Sequence, residues 1–148
     1  MDGIMKFLSV LALLAFSSAA GAVQNYCGAV QTTINSSFTQ TNCTTTLLNC
    51  TVSTGTNHVL VTANIRVGLV STEKQFRVVL MRDSTQIYTT NNGQAGNPDL
   101  GTANGQYAFE VTDLPGAGSH VYKMNVCLPN SGVAIVGPAI IYAIEFLN

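Results

Sequence analysis

Apolar and polar residues alternate with a period of two along much of this chain, which is typical of β-strands that bury one face. In the clearest case, every odd position in residues 59–69 is apolar, and Thr62, Asn64 and Arg66 lie at even positions between them. No convincing helical period occurs after the N-terminus, so we predict an all-β chain. The same alternation predicts further strands at residues 76–81, 87–90, 106–112, 121–128 and 139–146.

Turn-forming residues separate the predicted strands. Residues 82–85 read Arg-Asp-Ser-Thr, and residues 113–119 read Asp-Leu-Pro-Gly-Ala-Gly-Ser. An Asp at the start of such a turn can accept a hydrogen bond from the backbone two residues on. Short strands divided by turns of this kind favour an antiparallel β-sandwich of jelly-roll type, which we predict over residues 58–148.

The closing strand, residues 139–146, is apolar on both faces. Ala139, Ile141 and Ala143 alternate with Ile140 and Tyr142, and the sequence continues in the same way to its end. One face packs on the core of the domain, so the other needs cover from elsewhere. A neighbouring subunit or a glycosylated segment would supply it.

Residues 1–22 have the layout of a secretory signal peptide. Lys6 precedes the ten apolar and small residues 7–16, and Ala20-Gly-Ala22 follows as a cleavage site, with cleavage expected after Ala22. A membrane-spanning helix needs about twenty apolar residues, roughly twice that length. We therefore expect a secreted, extracellular product with no membrane insertion after signal cleavage.

Residues 23–57 form a compositionally distinct N-terminal segment that is rich in Thr, Asn, Ser and Gln and contains no charged residue. Three Asn-X-Ser/Thr sequons lie in it, at Asn35, Asn42 and Asn49. Two interpretations stay open. The sequons arise by chance from the composition, or they carry glycans that keep a weakly charged protein in solution.

Charged residues make up 9% of the chain, with a formal net charge of −1, against about a quarter in average globular proteins. So few cations cannot neutralise a run of phosphates, and nucleic acid and anionic membranes are not expected partners. So few charged residues also leave few lysines to discourage association at sheet edges. Low charge therefore favours self-association.

Four cysteines in a secreted chain predict two disulfides rather than a metal site. Cys127 belongs to the strand face opposite the predicted core, so its partner should cross the outside of the sheet from the N-terminal segment. We expect Cys27 to pair with one of Cys43 and Cys50, and Cys127 with the other, with a bond between subunits as the alternative. The N-terminal segment would then lie over its own sandwich or a neighbour's, or would form an intrachain first strand.

Three stretches carry a resemblance to a known group of proteins: residues 79–87, residues 113–126 and the closing residues 139–146. Their strand pattern resembles the jelly-roll modules at the tips of phage and viral tail fibres, which are similar in architecture to trimeric heads of the tumour-necrosis-factor and complement type. The resemblance covers residues 59–147. It implies an oligomeric, non-enzymatic structural or display module, although the chain has no Gly-X-Y stalk or heptad run.

Residues 91–105 form the longest stretch without periodicity and are rich in turn formers. Long loops in compact domains are often functional, and Tyr88 and Tyr107 lie close to it in the sequence. One carboxylate, at Asp99, makes calcium a weaker alternative to a sugar or receptor. The candidate contact residues of this possible ligand loop are Asn91, Asn92, Asn97, Asp99 and Asn104.

No catalytic constellation is apparent. Ser119, His120 and Asp113 include the residue types of a hydrolase triad, but neighbouring residues on a strand face opposite sides. Glu110 and Asp113 are explained more simply as a solvated strand residue and a turn residue than as the acid and base of a glycosidase. We predict a non-enzymatic protein with no cofactor and no metal.

Two functions follow from these expectations. The leading hypothesis is a secreted structural glycoprotein that assembles with copies of itself into a fibre or coat. The alternative is a lectin-type head that binds carbohydrate or a receptor through the loop at residues 91–105.

Overall fold

The computed structural model describes residues 23–69, 76–90, 105–129 and 132–146. The predicted signal peptide and the five candidate residues of the ligand loop lie outside these ranges. Within them the regular elements are all strands, and no helix is long and apolar enough to cross a membrane. The strands are β1 (Val23–Gln31), β2 (Asn35–Phe38), β3 (Thr46–Thr54), β4 (Val59–Leu69), β5 (Arg77–Arg82), β6 (Thr85–Thr89), β7 (Gly105–Asp113), β8 (Gly118–Cys127) and β9 (Ala134–Phe146).

The strands form two antiparallel sheets. Sheet I has the order β1-β9-β4-β7, with β2 also pairing with β9, and sheet II has the order β3-β8-β5-β6. If β1 and β2 are counted as one interrupted strand, each sheet has four strands, and the chain alternates between sheets except at the β5–β6 hairpin. This is the strand order of a jelly roll. The predicted fold class is confirmed.

The core lies between the sheets and consists of the apolar positions of the period-two pattern. Val59, Val61 and Ala63 of β4 have no solvent exposure, and neither do Tyr122 and Met124 of β8. The faces predicted for β4, β7 and β8 are therefore confirmed. Burial of these side chains provides most of the favourable free energy of folding, at about 25 cal/mol per Å² of apolar surface.

The change of composition near residue 57 does not coincide with a break in the fold. The N-terminal segment contributes β1 and β2 to sheet I and β3 to sheet II, where they pair with strands of the same chain. The chain before β3 continues alongside β8, because the Leu128 and Val126 amides donate hydrogen bonds to the carbonyl oxygens of Gln40 (2.8 Å) and Thr45 (3.3 Å). The segment is thus part of the sandwich and also borders its outside.

The two disulfides join Cys27 to Cys50 and Cys43 to Cys127. This is one of the two pairings that the orientation of Cys127 favours, and both bonds are within one chain. Cys127 lies on the outer face of sheet II with Asn125, as expected. It is nevertheless fully buried, because the segment that carries Cys43 covers it.

Strand β9 continues through the Gly137-Pro138 pair and begins at Ala134, earlier than the predicted start at residue 139. Its register against β4 shifts by one residue between Ile65 and Val67, so a β-bulge lies inside the strand. Gly137 has φ 111°, and a Cβ at this position would lie 2.6 Å from the carbonyl oxygen of Thr33. Both the backbone conformation and the close approach require glycine here.

A polar cluster joins the two sheets. Arg82 donates to both carboxylate oxygens of Asp113, at 2.7 and 2.9 Å, and the Tyr122 hydroxyl donates to the same carboxylate at 2.9 Å. Burial, followed by the hydrogen bond to Asp113, raises the pKa of Tyr122. The cluster connects β5 and β8 of sheet II with β7 of sheet I.

Candidate functional site

The outward-facing residues of β1, β9, β4 and β7 form a regular grid on sheet I, which we call the tyrosine face. Consecutive rows are about 7 Å apart and neighbouring strands about 4.8 Å apart. The β1 and β9 columns are mainly apolar, and the β4 and β7 columns are mainly polar. From β1 to β7 the rows are Tyr26, Ile144, Leu60 and Thr112; then Gly28, Tyr142, Thr62 and Glu110; then Val30, Ile140, Asn64 and Ala108.

The second row contains an aromatic ring in a fixed position. A Cβ at Gly28 would lie 2.5 Å from Cδ1 and 2.6 Å from Cε1 of Tyr142, so the tyrosine ring occupies the space above the glycine. Tyr142 nevertheless remains 39% exposed to solvent. Gly28 is therefore the position that allows Tyr142 to lie over the neighbouring strand.

The first and third rows expose further apolar groups on β1. Tyr26 is 75% exposed and Val30 is 57% exposed. Isolated apolar residues are normal on protein surfaces, but a contiguous apolar patch with a polar border usually marks a binding surface. Three members of the patch, Tyr26, Val30 and Tyr142, are among the most exposed large apolar residues of the described chain.

A groove continues the grid beyond its third row. It has a volume of about 340 Å³ and opens where the bulge in β9 separates β9 from β4. Pro138 and Ile140 form one wall. Asn64, Arg66 and Gln106 supply amide and guanidinium donors on the other. The groove therefore places hydrogen-bonding groups directly beside the apolar columns.

The tyrosine face carries one charge of each sign among its described outward-facing residues. Arg66 lies opposite Gln106, and Glu110 lies opposite Thr62. The face has no net charge, so it offers no electrostatic preference for a cationic or an anionic ligand.

A second concavity lies on the outer face of sheet II, with a volume of about 460 Å³. Asp83 lies on its border. Oδ1 of Asp83 accepts a hydrogen bond from the Val121 amide (2.9 Å), and Oδ2 is 2.9 Å from Nδ1 of His120. These contacts, with that to His120 the largest, hold the pKa of Asp83 below its ordinary value. Lys123 donates to the carbonyl oxygen of Asp83 at 2.8 Å.

The residue types considered for catalysis are not brought together. His120 contacts Asp83, whereas Asp113 contacts Arg82 and Tyr122. Glu110 is exposed on the outer face of β7, on the opposite side of the strand from Asp113. In the described ranges no group of three or more His, Cys, Asp or Glu side chains could hold a metal ion.

The aromatic residues expected beside the ligand loop point into the sandwich. Tyr88 packs against the Phe109 ring with the centroids 5.7 Å apart, and Tyr107 packs against the core and over Gly105. They therefore do not form a surface platform. The calcium alternative at Asp99 falls outside the described residues, as do all the loop residues from 91 to 104.

The three sequon asparagines are exposed. Oδ1 of Asn35 accepts a hydrogen bond from the Ser37 amide (3.0 Å), and Oδ1 of Asn42 accepts one from the Thr44 amide (3.1 Å). Asn49 instead lies within β3, on its outer face.

The pairing of Tyr142 with β1 could not be read from the sequence. Gly28 and Tyr142 are opposite each other in the sheet but distant in the chain, and no local pattern sets this register. The available signal was the second apolar face of β9, which indicates that the face needs cover but does not identify the residues beside it.

No family model matches the sequence, and no curated protein matches it. Among solved structures, a family 35 carbohydrate-binding module from an environmental isolate is similar to this chain, with a TM-score of 0.37 and 19% sequence identity. The match covers 83% of this chain and 86% of that one. A likeness at this TM-score carries no argument, and the class of the protein, a jelly-roll β-sandwich, rests on its own strand pairing.

Proposed function

We propose that this chain is a secreted, non-catalytic module that binds neutral saccharide chains on the tyrosine face. The observation that carries the proposal is the division of the grid into apolar columns on β1 and β9 and polar columns on β4 and β7. Saccharides have the same division, because the C–H faces of a sugar ring are apolar and its hydroxyl groups project from the rim.

Each part of a bound sugar would have a partner on the tyrosine face. The exposed ring of Tyr142, with Tyr26 one row away, offers an aromatic surface for the apolar face of a sugar ring. Thr62 and Asn64 lie beside the tyrosine column and can bond hydroxyl groups. In the groove, Gln106 and Arg66 extend the hydrogen-bonding groups by a further row. A chain of sugars lying along β9 would contact both sets.

The balance of charge on the face favours a neutral ligand. An acidic polysaccharide would be attracted by Arg66 but repelled by Glu110. A cationic polysaccharide would be attracted by Glu110 but repelled by Arg66. The two disulfides are compatible with an extracellular protein. Neutral polysaccharides occur in the extracellular space.

The test uses the secreted chain and a panel of insoluble and soluble neutral polysaccharides. We expect retention on at least one of them in a sedimentation assay. Tyr142→Ala and Asn64→Ala should each weaken binding by about tenfold, which is about 1.4 kcal/mol. Tyr26→Ala should also weaken binding, and its high exposure makes an effect on folding small.

Leu114→Ala is the matched control, because Leu114 is 58% exposed but lies outside the grid. It should bind like the unchanged protein. The proposal is refuted if no polysaccharide retains the protein. It is also refuted if the Tyr26 and Tyr142 variants are retained as well as the unchanged protein.

Self-assembly is the second candidate, and the exposed apolar side chains of β1 favour it. In the described structure β1 pairs with β9 alone, and the strand contains no charge that would repel a second copy. Light scattering separates the two functions. If the protein forms oligomers that Tyr26→Ser and Tyr142→Ser convert to monomers, and if no polysaccharide is retained, the face is a subunit contact. A monomeric protein at millimolar concentration excludes assembly.

A further inference from the structure

The three sequons differ in a way that the sequence does not show. Asn42 lies in the turn before β3, and its side-chain oxygen is occupied by the Thr44 amide. The residue as a whole is exposed to solvent. Asn49 lies inside an extended strand that pairs with β8. The local backbone therefore presents the amide nitrogen of Asn42 more freely than that of Asn49.

The same two sequons, at Asn42 and Asn49, also differ in when the disulfide next to each asparagine can form. Each sequon has a cysteine as its middle residue. The partner of Cys50 is Cys27, which lies 23 residues earlier and is already present when Cys50 is synthesised. The partner of Cys43 is Cys127, which lies 84 residues later. Because a chain enters the secretory compartment from its N-terminus, the Asn42 sequon stays unconstrained for longer.

The concavity on sheet II lies beside Asn42. Asn42 and Thr46 line it beside Asn125, which accepts a hydrogen bond from the Thr46 hydroxyl at 3.0 Å. Lys123 and Met81 follow across the sheet, and Gln86 lies on the strand beyond them. Its volume, about 460 Å³, is within the range of small-molecule sites, about 300–1,000 Å³. Amide groups beside an apolar side chain suit the hydroxyl groups and the methyl group of an N-acetylated sugar.

From these observations we infer that Asn42 carries an N-linked glycan and that its first N-acetylglucosamine lies in the concavity on sheet II. In the transfer, Nδ2 of Asn42 forms a bond to C1 of the sugar and gives up a proton. The bond from C1 to the pyrophosphate of a lipid-linked oligosaccharide breaks, and the lipid pyrophosphate leaves with the electron pair. The modified surface is on the opposite sheet from the tyrosine face, so this inference does not rest on the proposed function.

Occupancy is measured on the full-length chain secreted from eukaryotic cells. The glycans are released by an amidase in ¹⁸O-labelled water, which converts each modified Asn to labelled Asp, and the peptides are then mapped by mass spectrometry. We expect higher occupancy at Asn42 than at Asn49. Cys27→Ser should raise occupancy at Asn49, because Cys50 then has no native partner earlier in the chain. It should leave Asn42 unchanged.

Asn35 is the internal reference for the transfer reaction. An unmodified Asn42 would overturn the inference, whether or not Asn35 or Asn49 is modified. Equal occupancy of Asn49 with and without Cys27 would show that the order of disulfide closure does not select the site.

The position of the sugar is tested after enzymatic trimming to one N-acetylglucosamine. We expect nuclear Overhauser contacts between its acetyl methyl group and the methyl group of Met81, and their absence would refute the placement. Asn42→Gln should leave polysaccharide retention unchanged. Loss of retention in that variant would show that the two surfaces are not independent.

Discussion

Glu145 is a carboxylate with no solvent exposure. A buried charge is unfavourable unless hydrogen bonds replace the lost water. Asn25 Nδ2 donates to one oxygen at 2.9 Å, and the Gly55 amide (2.7 Å) and Asn57 Nδ2 (3.2 Å) donate to the other. The hydrogen bond from Asn25, followed by those from Gly55 and Asn57, lowers the pKa of Glu145 despite its burial. A buried charge is tolerated here because neutral donors surround it.

This arrangement predicts a loss of stability in acid. A carboxyl group whose pKa is lower in the folded state stabilises the fold above its unfolded pKa, and this contribution is lost as the pH falls through the folded value. The midpoint of urea unfolding should therefore decrease as the pH is lowered below the ordinary pKa of 4.5. Glu145→Gln should reduce this dependence and should also lower the midpoint at neutral pH, because an NH₂ group would replace an acceptor.

Glu110→Gln is the control for this experiment, since Glu110 is an exposed carboxylate on the outer face of β7. It should keep the acid dependence of the unchanged protein. An identical pH profile for the Glu145 and Glu110 variants would show that the buried carboxylate is not the titrating group that matters.

At the scale of strands and turns, a comparison of two glycines with positive φ distinguishes the cost of backbone strain from the cost of steric crowding. Gly116 has φ 82° and nothing within 4 Å of an added Cβ, whereas Gly137 combines φ 111° with the nearby Thr33 oxygen. Gly116→Ala should cost about 1–2 kcal/mol from the left-handed backbone alone. Gly137→Ala should cost more than about 2 kcal/mol because the bulge in β9 must also move.

Urea unfolding monitored by circular dichroism measures both values. Equal losses for the two variants would mean that residues 32–34 move away from the new methyl group without cost, and that the bulge is less rigid than its contacts indicate.

The sequence predicts the bounds of β4 and β7 to within one residue, but it does not mark β1 and β3 as clearly. Strand β4 has the predicted bounds because its buried valines contrast with Thr62, Asn64 and Arg66. In β1 the contrast is missing, because outward-facing Tyr26 and Val30 are as apolar as inward-facing Ala29. In β3 the inward positions include Cys50 and Thr54, so the strand resembles a polar linker. A strand that contains polar residues and whose two faces do not differ is therefore hard to recognise in the sequence.

The candidate site shows the same limit. Tyr142 and Asn64 belong to strands that the sequence predicts, but their adjacency depends on the pairing of β9 with β4. Such a pairing joins distant residues and is decided by the whole sandwich. The expected ligand loop at residues 91–105 rests on composition alone and stays a prediction.

For the molecule as a whole, the disulfides should contribute unequally to stability. The loop closed by Cys43 and Cys127 spans 84 residues, and that closed by Cys27 and Cys50 spans 23. From the loss of chain entropy in the unfolded state, removing the larger loop should cost about 4.6 kcal/mol and removing the smaller about 3.4 kcal/mol.

Paired Cys→Ala variants, compared by urea unfolding at constant pH, measure this difference. The two variants bury similar side chains, so each serves as the control for the other. A larger loss for the Cys27 and Cys50 variant would contradict the entropic explanation and would indicate that the contact between the sheets dominates.

The Cys27–Cys50 bond has a consequence for how the sandwich opens. It links β1 to β3, the edge strands of the two sheets on one side, whereas on the other side β6 and β7 meet through the Tyr88 and Phe109 rings without a covalent bond. We therefore expect thermal opening to be a hinge motion about the β1–β3 side, with water reaching Phe109 first. The apolar columns of the tyrosine face lie next to this hinge axis, where the displacement is smallest, so we expect partial opening of the core to leave the spacing of Tyr26 and Tyr142 unchanged.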